Sequence, residues 1–484
     1  MNMSISCSKK QNIKMKKERD FMNFIKRLIS YAVVLVCVAV PINSFTPIDN
    51  NVNAAEEIAE PQIWDGTSDT SWYDDDETEF HISTAEELSG LFELLNVEKN
   101  MKGKTIYLEN DILLNDVSNF ENWDDENPQN IWKSNSLYYA FYGTFNGNGH
   151  TITGLFGSTG LFDYVGEGGK ITNLKCDNSY VKGDGERIGG ICNALRGKIR
   201  NCSFSGKVIY EKVFSSNKGR AYTCVGGICG FVNGGRIENC SSDANISVSF
   251  DCSKVDESVC KHEFDHLYAG GICGSAYYSC IKQCYSNGSV QAFRKSSSGE
   301  KELNISAGSI CGRTEGKVSI ESCYNIYDNC DIIAEVSYVK LNDGSKHRAY
   351  ISNTYNTCGR ISKNSYGMSN CYYLSGVANS DGGNAKAKTK ANMQKPEFAE
   401  TLGDAFVYVE GDYPKLAWEL GILMTGDIND DGGIDISDAV LLQKYLLGAQ
   451  QLTKEQYDAA DVDKNGTTDV YDMVRMRQLI ISEK

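Results

Sequence analysis

Two twelve-residue segments late in the 484-residue chain carry the oxygen-bearing side chains that Ca²⁺ prefers. Ca²⁺ takes roughly six to eight oxygen ligands, and such a loop supplies them from positions 1, 3, 5, 9 and 12 and from the carbonyl of position 7. A glycine at position 6 makes the sharp turn. The sequence therefore predicts two calcium ions, with these ligands: Asp427, Asn429, Asp431, the Gly433 carbonyl, Asp435 and Asp438; then Asp461, Asp463, Asn465, the Thr467 carbonyl, Asp469 and Asp472.

A helical pattern follows each loop. Apolar residues recur there at the spacing of one helix face, and Thr453 with Gln456 forms a capping box for a short helix between the two units. Position 12 is Asp in both loops, where an EF-hand has Glu. The glycine-bounded segment before Asp427 is too short for an entering helix. We therefore expect a small α-helical, calcium-binding domain at 422–484.

This loop–helix unit recurs 34 positions later, from Asp427 to Asp461, and the pair resembles the type I dockerin module. The resemblance implies calcium-dependent folding and binding to a cohesin module of a scaffolding protein, as in cellulosomes. It also implies that loop positions 10 and 11 and the following helix contact that partner. Because the two halves differ at these positions, we expect a single docking orientation. The implied cohesin-binding residues are Ile436, Ser437, Gln443 and Lys444, and Val470, Tyr471, Arg477 and Gln478.

A Gly-x-Ile-Cys unit occurs four times, at 189–192, 226–229, 270–273 and 308–311. Each copy precedes a second strand that ends at another cysteine, and degenerate copies surround Cys176 and Cys371. Repeats of this length predict a solenoid in which every coil contacts its neighbours. The cysteines would then stack in two columns, either as buried apolar residues of the core or joined by some disulfides. The columns are Cys192, Cys229, Cys273 and Cys311, and Cys202, Cys240, Cys284 and Cys323.

The repeat pattern over about 145–375 resembles the GLUG-motif repeats of bacterial surface proteins, with Cys replacing the usual aliphatic residue after Gly-Gly-Ile. The resemblance implies a right-handed parallel β-helix. We therefore expect a mainly β chain. It comprises a cap with the first coils at 62–155, β-helix repeats with a C-terminal cap at 156–420, and the dockerin at 422–484. A capping box from Ser83 to Glu86 predicts a short capping helix, and 392–420 is expected to close the solenoid.

Each coil is longer than the roughly 20–30 residues that a solenoid repeat needs. The surplus looks like hairpins that turn near 217–219, near 298–299 and at Asn342-Asp343-Gly344, because Asn/Asp-Gly is a strong hairpin turn. Successive coils would project these hairpins from one side. We expect them to stack into a flange that binds the ligand.

Residues 1–54 have the features of a secretory signal: a basic stretch from Lys9 to Arg27, an apolar run over 28–40 and small residues before a cut after Ala54. The apolar run is too short to span a bilayer, and Met22 is an alternative start. We expect an extracellular chain without membrane contact, held at the cell surface through cohesin. The net charge of −16 argues against nucleic acid as a partner.

The segment from His262 to His266 matches the zinc-protease pattern H-E-x-x-H. That chemistry needs a helix that presents both histidines to Zn²⁺, with Glu263 as the base. The segment lies in a variable loop without a helical pattern and carries a charged Asp265, so a chance match is favoured. Cys252 and Cys260 leave open a small zinc loop or a local disulfide.

No other catalytic motif stands out. We expect a secreted cellulosome component whose dockerin binds a scaffoldin cohesin and whose β-helix binds polysaccharide or a cell surface. The alternative is a polysaccharide lyase or glycoside hydrolase delivered to the complex, since many glycan-cleaving enzymes need only a pair of carboxylates. Fold alone does not decide between them.

Overall fold

A computed structural model describes residues 62–124, 126–213, 222–252, 266–296, 304–327, 333–336, 339–340, 346–347, 354–355, 367–375, 385–429 and 433–482. Several predictions lie outside these residues. They are the signal segment 1–54 with the alternative start at Met22, the predicted hairpin turns near 217–219, near 298–299 and at 342–344, the calcium ligand Asp431, Cys260, and the first four residues of the H-E-x-x-H motif, which begins at His262.

Strands are the most frequent regular element of the described chain, and short helices lie at both ends. The strands are β1 Glu79–Ile82, β2 Thr105–Leu108, β3 Ile112–Leu113, β4 Thr144–Asn146, β5 Thr151–Thr153, β6 Phe156–Gly157, β7 Phe162–Val165, β8 Lys170–Gly183, β9 Arg187–Gly189, β10 Cys192–Leu195, β11 Lys198–Val213, β12 Tyr222–Gly226, β13 Cys229–Asn233, β14 Arg236–Glu238, β15 Ser241–Cys252, β16 His266–Gly270, β17 Cys273–Tyr277, β18 Cys280–Lys282, β19 Tyr285–Ser286, β20 Val290–Ser296, β21 Asn304–Gly308, β22 Cys311–Glu315, β23 Ser319–Glu321, β24 Tyr324–Asn325, β25 Ile333–Val336, β26 Val339–Lys340, β27 Lys346–His347, β28 Thr354–Tyr355, β29 Gly367–Ser369, β30 Tyr372–Leu374, β31 Lys386–Lys388, β32 Phe406–Val407 and β33 Lys415–Leu416. The α-helices are α1 Ala85–Asn96, α2 Lys390–Met393, α3 Pro396–Leu402, α4 Ile436–Leu446, α5 Lys454–Ala460 and α6 Val470–Ser482, and 3₁₀ turns cover Phe120–Asn122 and Ala417–Leu420.

Strands of successive coils pair in parallel and form the three faces of a β-helix. One face is the ladder β7-β10-β13-β17-β22, the second is β9-β12-β16-β21-β28, and the third is part of a 19-stranded sheet. The predicted repeats are in register, because Cys192 pairs with Cys229, Cys229 with Cys273 and Cys273 with Cys311. The predicted fold class, a mainly β chain with a parallel β-helix, is confirmed.

Both cysteine columns lie in the core as free thiols. Cys192, Cys229, Cys273 and Cys311 form the first column, and Cys202, Cys240, Cys284, Cys323 and Cys371 the second; all are buried and unbridged. In the second column each thiol donates to the carbonyl two residues earlier, for example Cys240 Sγ to Glu238 O at 3.1 Å. Burial raises the pKa of the Cys240 and Cys284 thiols well above the ordinary value. These thiols therefore stay protonated and act as small core side chains.

The corner before each cysteine of the second column is left-handed. Asn173, Asn201 and Asn239 have φ near +50°, as do Gln283, Ser322 and Asn370 on the later coils. Asparagine tolerates this conformation better than most residues. The stacked amides also bond to one another, with Asn201 Nδ2 donating to Asn173 Oδ1 at 2.9 Å and Asn239 Nδ2 to Asn201 Oδ1 at 3.1 Å. This row fixes the corner at the same place on each coil.

The paired glycines of the repeat have a steric reason. A Cβ added to the first glycine would lie 1.9 Å from the Cys273 carbonyl oxygen at Gly270, and 2.1 Å from the Cys229 carbonyl oxygen at Gly226. A Cβ on the second glycine, at Gly271, would lie 2.0 Å from the Ser309 carbonyl oxygen of the next coil. Only glycine allows the backbone to approach this closely.

The projecting segments pair differently from the prediction. Hairpins over 208–223 and 290–305 were expected, but the described arms pair with the same arms of neighbouring coils. The outgoing residues of β11, β15, β20 and β25 form one parallel ladder, and the returning strands β12, β16 and β21 form another. Parallel stacking pairs the described residues of these arms with an adjacent coil, in place of the hairpin pairs that the local turn signals favour. At 339–347 an antiparallel pair, β26 with β27, agrees with the predicted hairpin.

Two predictions about the caps need correction. The capping box of α1 is formed by Thr84 and Glu87, one residue later than predicted: Thr84 Oγ1 accepts from Glu87 N, and Glu87 Oε2 accepts from Thr84 N. The segment after 385 adds β31 to the end of the sheet. Its helices then pack sideways against outward-facing tyrosines, Tyr324 and Tyr372, in a second apolar cluster separate from the main core.

The glycine packing generates a stability prediction. Gly270→Ala should lower the free energy of unfolding by about 3 kcal/mol or more, because a methyl group at this site overlaps backbone atoms that cannot move aside. Urea unfolding of the full chain in calcium would measure the change. Gly185→Ala is the matched control, since the nearest atom to its Cβ is 3.9 Å away. Equal stability of the two variants would contradict the close-approach argument.

Candidate functional sites

The second predicted calcium loop brings its carboxylates together. Asp461, Asp463 and Asp472 each offer an oxygen, and the three atoms lie within 4.8 Å of one another. Like charges at this distance repel, so a bound divalent cation would remove a cost that these groups otherwise carry. Oxygen donors of this number and kind fit Ca²⁺.

The carboxylate at loop position 12 also organises the loop. Asp472 is fully buried. Its Oδ1 accepts from Asp463 N at 3.0 Å and its Oδ2 from Asp469 N at 2.7 Å, so one side chain joins the two ends of the loop. Asn465 Oδ1, at loop position 5, accepts from Thr467 N at 2.8 Å and so closes a turn within the loop.

The first loop repeats this arrangement over its described residues. Asp438 is fully buried, and its Oδ1 accepts from Ile428 N at 2.8 Å while its Oδ2 accepts from Asp435 N at 2.9 Å. Asp435 in turn caps α4 by accepting from Ser437 N at 2.7 Å. Asp427 is buried beside them. The short Asp at position 12 therefore both closes the loop and starts the helix.

Helices α4 and α6 pack against each other and leave one apolar strip exposed. Their shared core is small: Ile428, Leu442, Ala460 and Met476. All eight residues implied to contact cohesin lie on the surface. Apolar side chains surround them at equivalent positions of the two helices: Ile436 and Val470, Val440 and Val474, and Leu447 and Ile481.

A shallow cleft of about 310 Å³ runs between the two helices. Ile436, Val440 and Ile481 line it together with Gln443 and Arg477. Ile436 is 67% exposed and Val470 63% exposed, which is unusual for β-branched apolar residues on helices of this size. Exposed contiguous apolar surface of this kind indicates a protein-binding site.

The segment between the β-helix and the helical domain lies against the coils. Trp418 Nε1 donates to Asn239 O at 2.8 Å, and the Glu419 carboxylate accepts from Ser241 Oγ at 2.6 Å and Tyr285 OH at 2.9 Å. Burial raises the pKa of Glu419 above its ordinary value. On the other side, Gly426 N donates to Ala459 O at 2.8 Å. The connecting segment is therefore hydrogen-bonded both to the β-helix and to the helical domain.

Glu419 also forms a wall of an open cleft of about 280 Å³ on the β-helix. Asp177 and Asp243 line the cleft with Lys415. Asp177 Oδ1 accepts from Ser205 Oγ at 3.1 Å, and Ser205 pairs with Asp243 on the next coil. Burial raises the pKa of Asp243. A register shift between Phe204 and Gly206 inserts an extra residue beside Asp177, and such bulges redirect side chains.

Sequence reasoning missed this cleft, although the repeats contain its signal. The carboxylates stand three residues after the core residue that follows the corner, at Leu174 and Cys240. Aligning the coils on that residue would have revealed one polar row running down the outside. Glu419 carries no such signal, because it reaches the row from the connecting segment.

Of the zinc-protease pattern, the structure describes only the last residue, His266. His266 begins β16 and pairs with Tyr222 and with Asn304 on adjacent coils. A strand presents alternate residues to opposite faces, so this end of the motif lacks the helix that the zinc chemistry requires. Among the described residues, no helix is both long and apolar enough to cross a membrane.

Comparison with known proteins agrees with both modules. A family model for the dockerin type I domain matches residues 425–481, and a model for the GLUG motif matches residues 221–247. Halomucin from Haloquadratum walsbyi (strain DSM 16790 / HBSQ001) is 36% identical over 81 residues, which are 16% of this chain and 1% of Halomucin.

Among solved structures, an IgA1 Protease chain is similar with a TM-score of 0.35 and 15% identity, over 64% of this chain and 21% of that chain. A similarity at this level carries no argument about function. The family matches and the geometry agree on the two modules, and dockerins of type I are generally calcium-binding and pair with cohesins. The chain thus carries a type I dockerin domain at residues 425–481, behind a β-helix that contains a GLUG motif at residues 221–247.

Proposed function

We propose that this chain is a secreted cellulosome component, anchored to a scaffoldin cohesin by its dockerin, and that its β-helix binds polysaccharide or a cell surface. The exposed apolar strip on α4 and α6, placed directly after two acidic loops, is the observation that carries the anchoring role. Apolar area of this kind supplies affinity when a partner covers it.

Two calcium ions would fix the strip in place. Each ion would take the carboxylates and the position-7 carbonyl of one loop, with Gly433 in the first and Thr467 in the second. Because Asp438 and Asp472 join the loop ends to the helix starts, filling the loops would stabilise the orientation of α4 and α6. Metal binding energy is then folding energy for this small domain.

The docking surface would have an apolar centre and a polar margin. Ile436, Val440 and Val474 supply the centre, while Gln443, Lys444, Arg477 and Gln478 supply the polar margin along the helices. The apolar residues match between the helices, but Ser437 corresponds to Tyr471, and tyrosine is favoured at binding hot spots. This difference supports the proposed single docking orientation.

A second candidate function, cleavage of a glycan, is favoured by the cleft at Asp177, Asp243 and Glu419. Asp177 and Asp243 lie two strands apart, which places their Cα atoms about 9–10 Å apart at the ~4.8 Å spacing of paired strands. Inverting glycosidases hold their two carboxyls roughly 6.5–9.5 Å apart, with water between them. Asp243, whose pKa is raised by burial, would be the acid and Asp177 the base.

Calcium binding can be tested at one loop. Asp472→Asn should weaken binding of one of the two ions by at least about tenfold, because the ligand loses its charge inside a loop that it also closes. Calorimetric titration of the full chain with Ca²⁺ would measure both sites. Asp458→Asn, on the exposed side of α5, is the control. Two unchanged sites in the Asp472 variant would contradict the ligand assignment.

Docking can be tested by changing the exposed strip. Val470→Asp should weaken binding to the recognised cohesin by at least about tenfold, or about 1.4 kcal/mol, since it puts a charge in the apolar centre. Surface plasmon resonance against a panel of type I cohesins would measure it, with the exposed Lys454→Ala as control. Ile436→Val combined with Ser437→Tyr makes the two halves alike at loop positions 10 and 11. Unchanged affinity in that double variant would refute the argument from asymmetry.

Cleavage can be tested in the full chain with a panel of plant polysaccharides, by recording new reducing ends and unsaturated products. If the second candidate is correct, Asp243→Asn and Asp177→Asn should each lower product release by at least about 100-fold, because each removes one half of an acid–base pair. Asp404→Asn, at an exposed side chain, should leave it unchanged. Full activity in both cleft variants would remove the cleft as the active site.

A further inference from the structure

A second concave surface of the β-helix has the opposite electrostatic character to the acidic cleft. A cavity of about 330 Å³ opens on the face formed by β7, β10 and β13. Arg187 and Arg196 line it with Asn233, and no carboxylate does. The whole chain has 64 acidic against 48 basic side chains. A cavity lined by cations in so acidic a protein favours an anionic ligand.

Two aromatic rings form the sides of this cavity. Tyr164, Ala194 and Phe231 pair on three successive coils, and all three line the cavity. The small Ala194 therefore leaves a slot between the rings of its neighbours. At the ~4.8 Å spacing of paired strands the outer two residues are about 9–10 Å apart, which leaves room for one pyranose ring with an apolar C–H face against Tyr164.

Arg187 lies over the Phe231 ring, and its charge also acts on the Asp163 carboxylate of an adjoining cavity. Its guanidinium carbon lies 4.9 Å from the centre of the Phe231 ring, a cation–π contact that fixes the planar group. Its Nε is buried without a hydrogen-bond partner among the described residues. Guanidinium groups bind carboxylates in a bidentate manner. Arg196, at the exposed edge of the same cavity, adds a second positive charge.

We infer that this slot binds a carboxylated sugar unit, a uronic acid residue of an acidic polysaccharide. The inference rests on the proposed polysaccharide-binding role of the β-helix and names its ligand class. The sugar ring would lie against Tyr164, and its carboxylate would bind Arg196 and Arg187, whose guanidinium lies over the Phe231 ring. The slot lies on a different face from the acidic cleft, whose lining residues are Asp177, Asp243 and Glu419.

The test uses the full chain in calcium with two probes, a galacturonic acid trimer and the neutral galactose trimer, measured by calorimetry. The native chain should bind the acidic trimer at least about tenfold more tightly than the neutral one. Arg196→Gln should remove most of that preference and leave neutral binding unchanged. Phe231→Ala should weaken both probes. Arg236→Gln, at an exposed arginine paired with Glu238 outside the slot, should change neither.

Three outcomes would overturn the inference. The first is equal or tighter binding of the neutral trimer by the native chain. The second is native-like binding of the acidic trimer by both Arg196→Gln and Arg187→Gln. The third is binding of the acidic trimer that disappears when calcium is removed yet is insensitive to the arginines, which would assign the carboxylate to a calcium bridge. Cohesin binding, measured in parallel, separates failure of this slot from failure of the anchoring role.

Discussion

Hydrogen bonding between successive coils is the constraint on which the β-helix depends. Each backbone N–H and C=O of a coil must find its partner on the coil before or after it, because buried unpaired groups are costly. Register is therefore kept between successive coils on both sides of the shift at Phe204 and Gly206. The glycine pair, the left-handed corner at Asn201 and Asn239, and the cysteine columns all recur for this reason. A side chain in place of Gly226 or Gly270 would overlap backbone atoms of its own coil and of the next coil.

The same constraint shapes the outer surface. Residues at equivalent positions of successive coils form rows, with neighbours in a row ~4.8 Å apart. A binding site on this fold therefore consists of equivalent residues from two or three coils. The row that starts at Lys175 ends in Tyr285, Tyr324 and Tyr372, which the C-terminal helices cover. Its uncovered part, Lys175, Ser203 and Ser241, lines the acidic cleft beside Asp177 and Asp243. On another face, the row Tyr164, Ala194 and Phe231 stays open. The two concave surfaces therefore differ in charge, since carboxylates line the first and arginines line the second.

Local patterns made the dockerin loops and the repeat predictable from sequence. A twelve-residue loop contains its own ligands, and Gly-Gly-Ile-Cys marks each coil by itself. The pairing of the projecting arms was not predictable, because the turn signal near 217–219 competes with stacking on strands some forty residues away. The acidic cleft and the arginine-lined cavity could not be predicted from the sequence either. Asp177 meets Glu419, and Arg187 meets Phe231, only after the coils are in register and the connecting segment has packed on them.

The connecting segment determines how anchoring and ligand binding are related. A flexible linker would let the cargo sample many orientations around its anchor. Here Trp418 and Glu419 are bonded to the coils, and Gly426 is bonded to α5, within the compact unit 60–484. Few freely rotating residues remain between Glu419 and Gly426. Docking of the dockerin would therefore also orient the β-helix, so that its open rows present a defined direction to a polymer beside the scaffold.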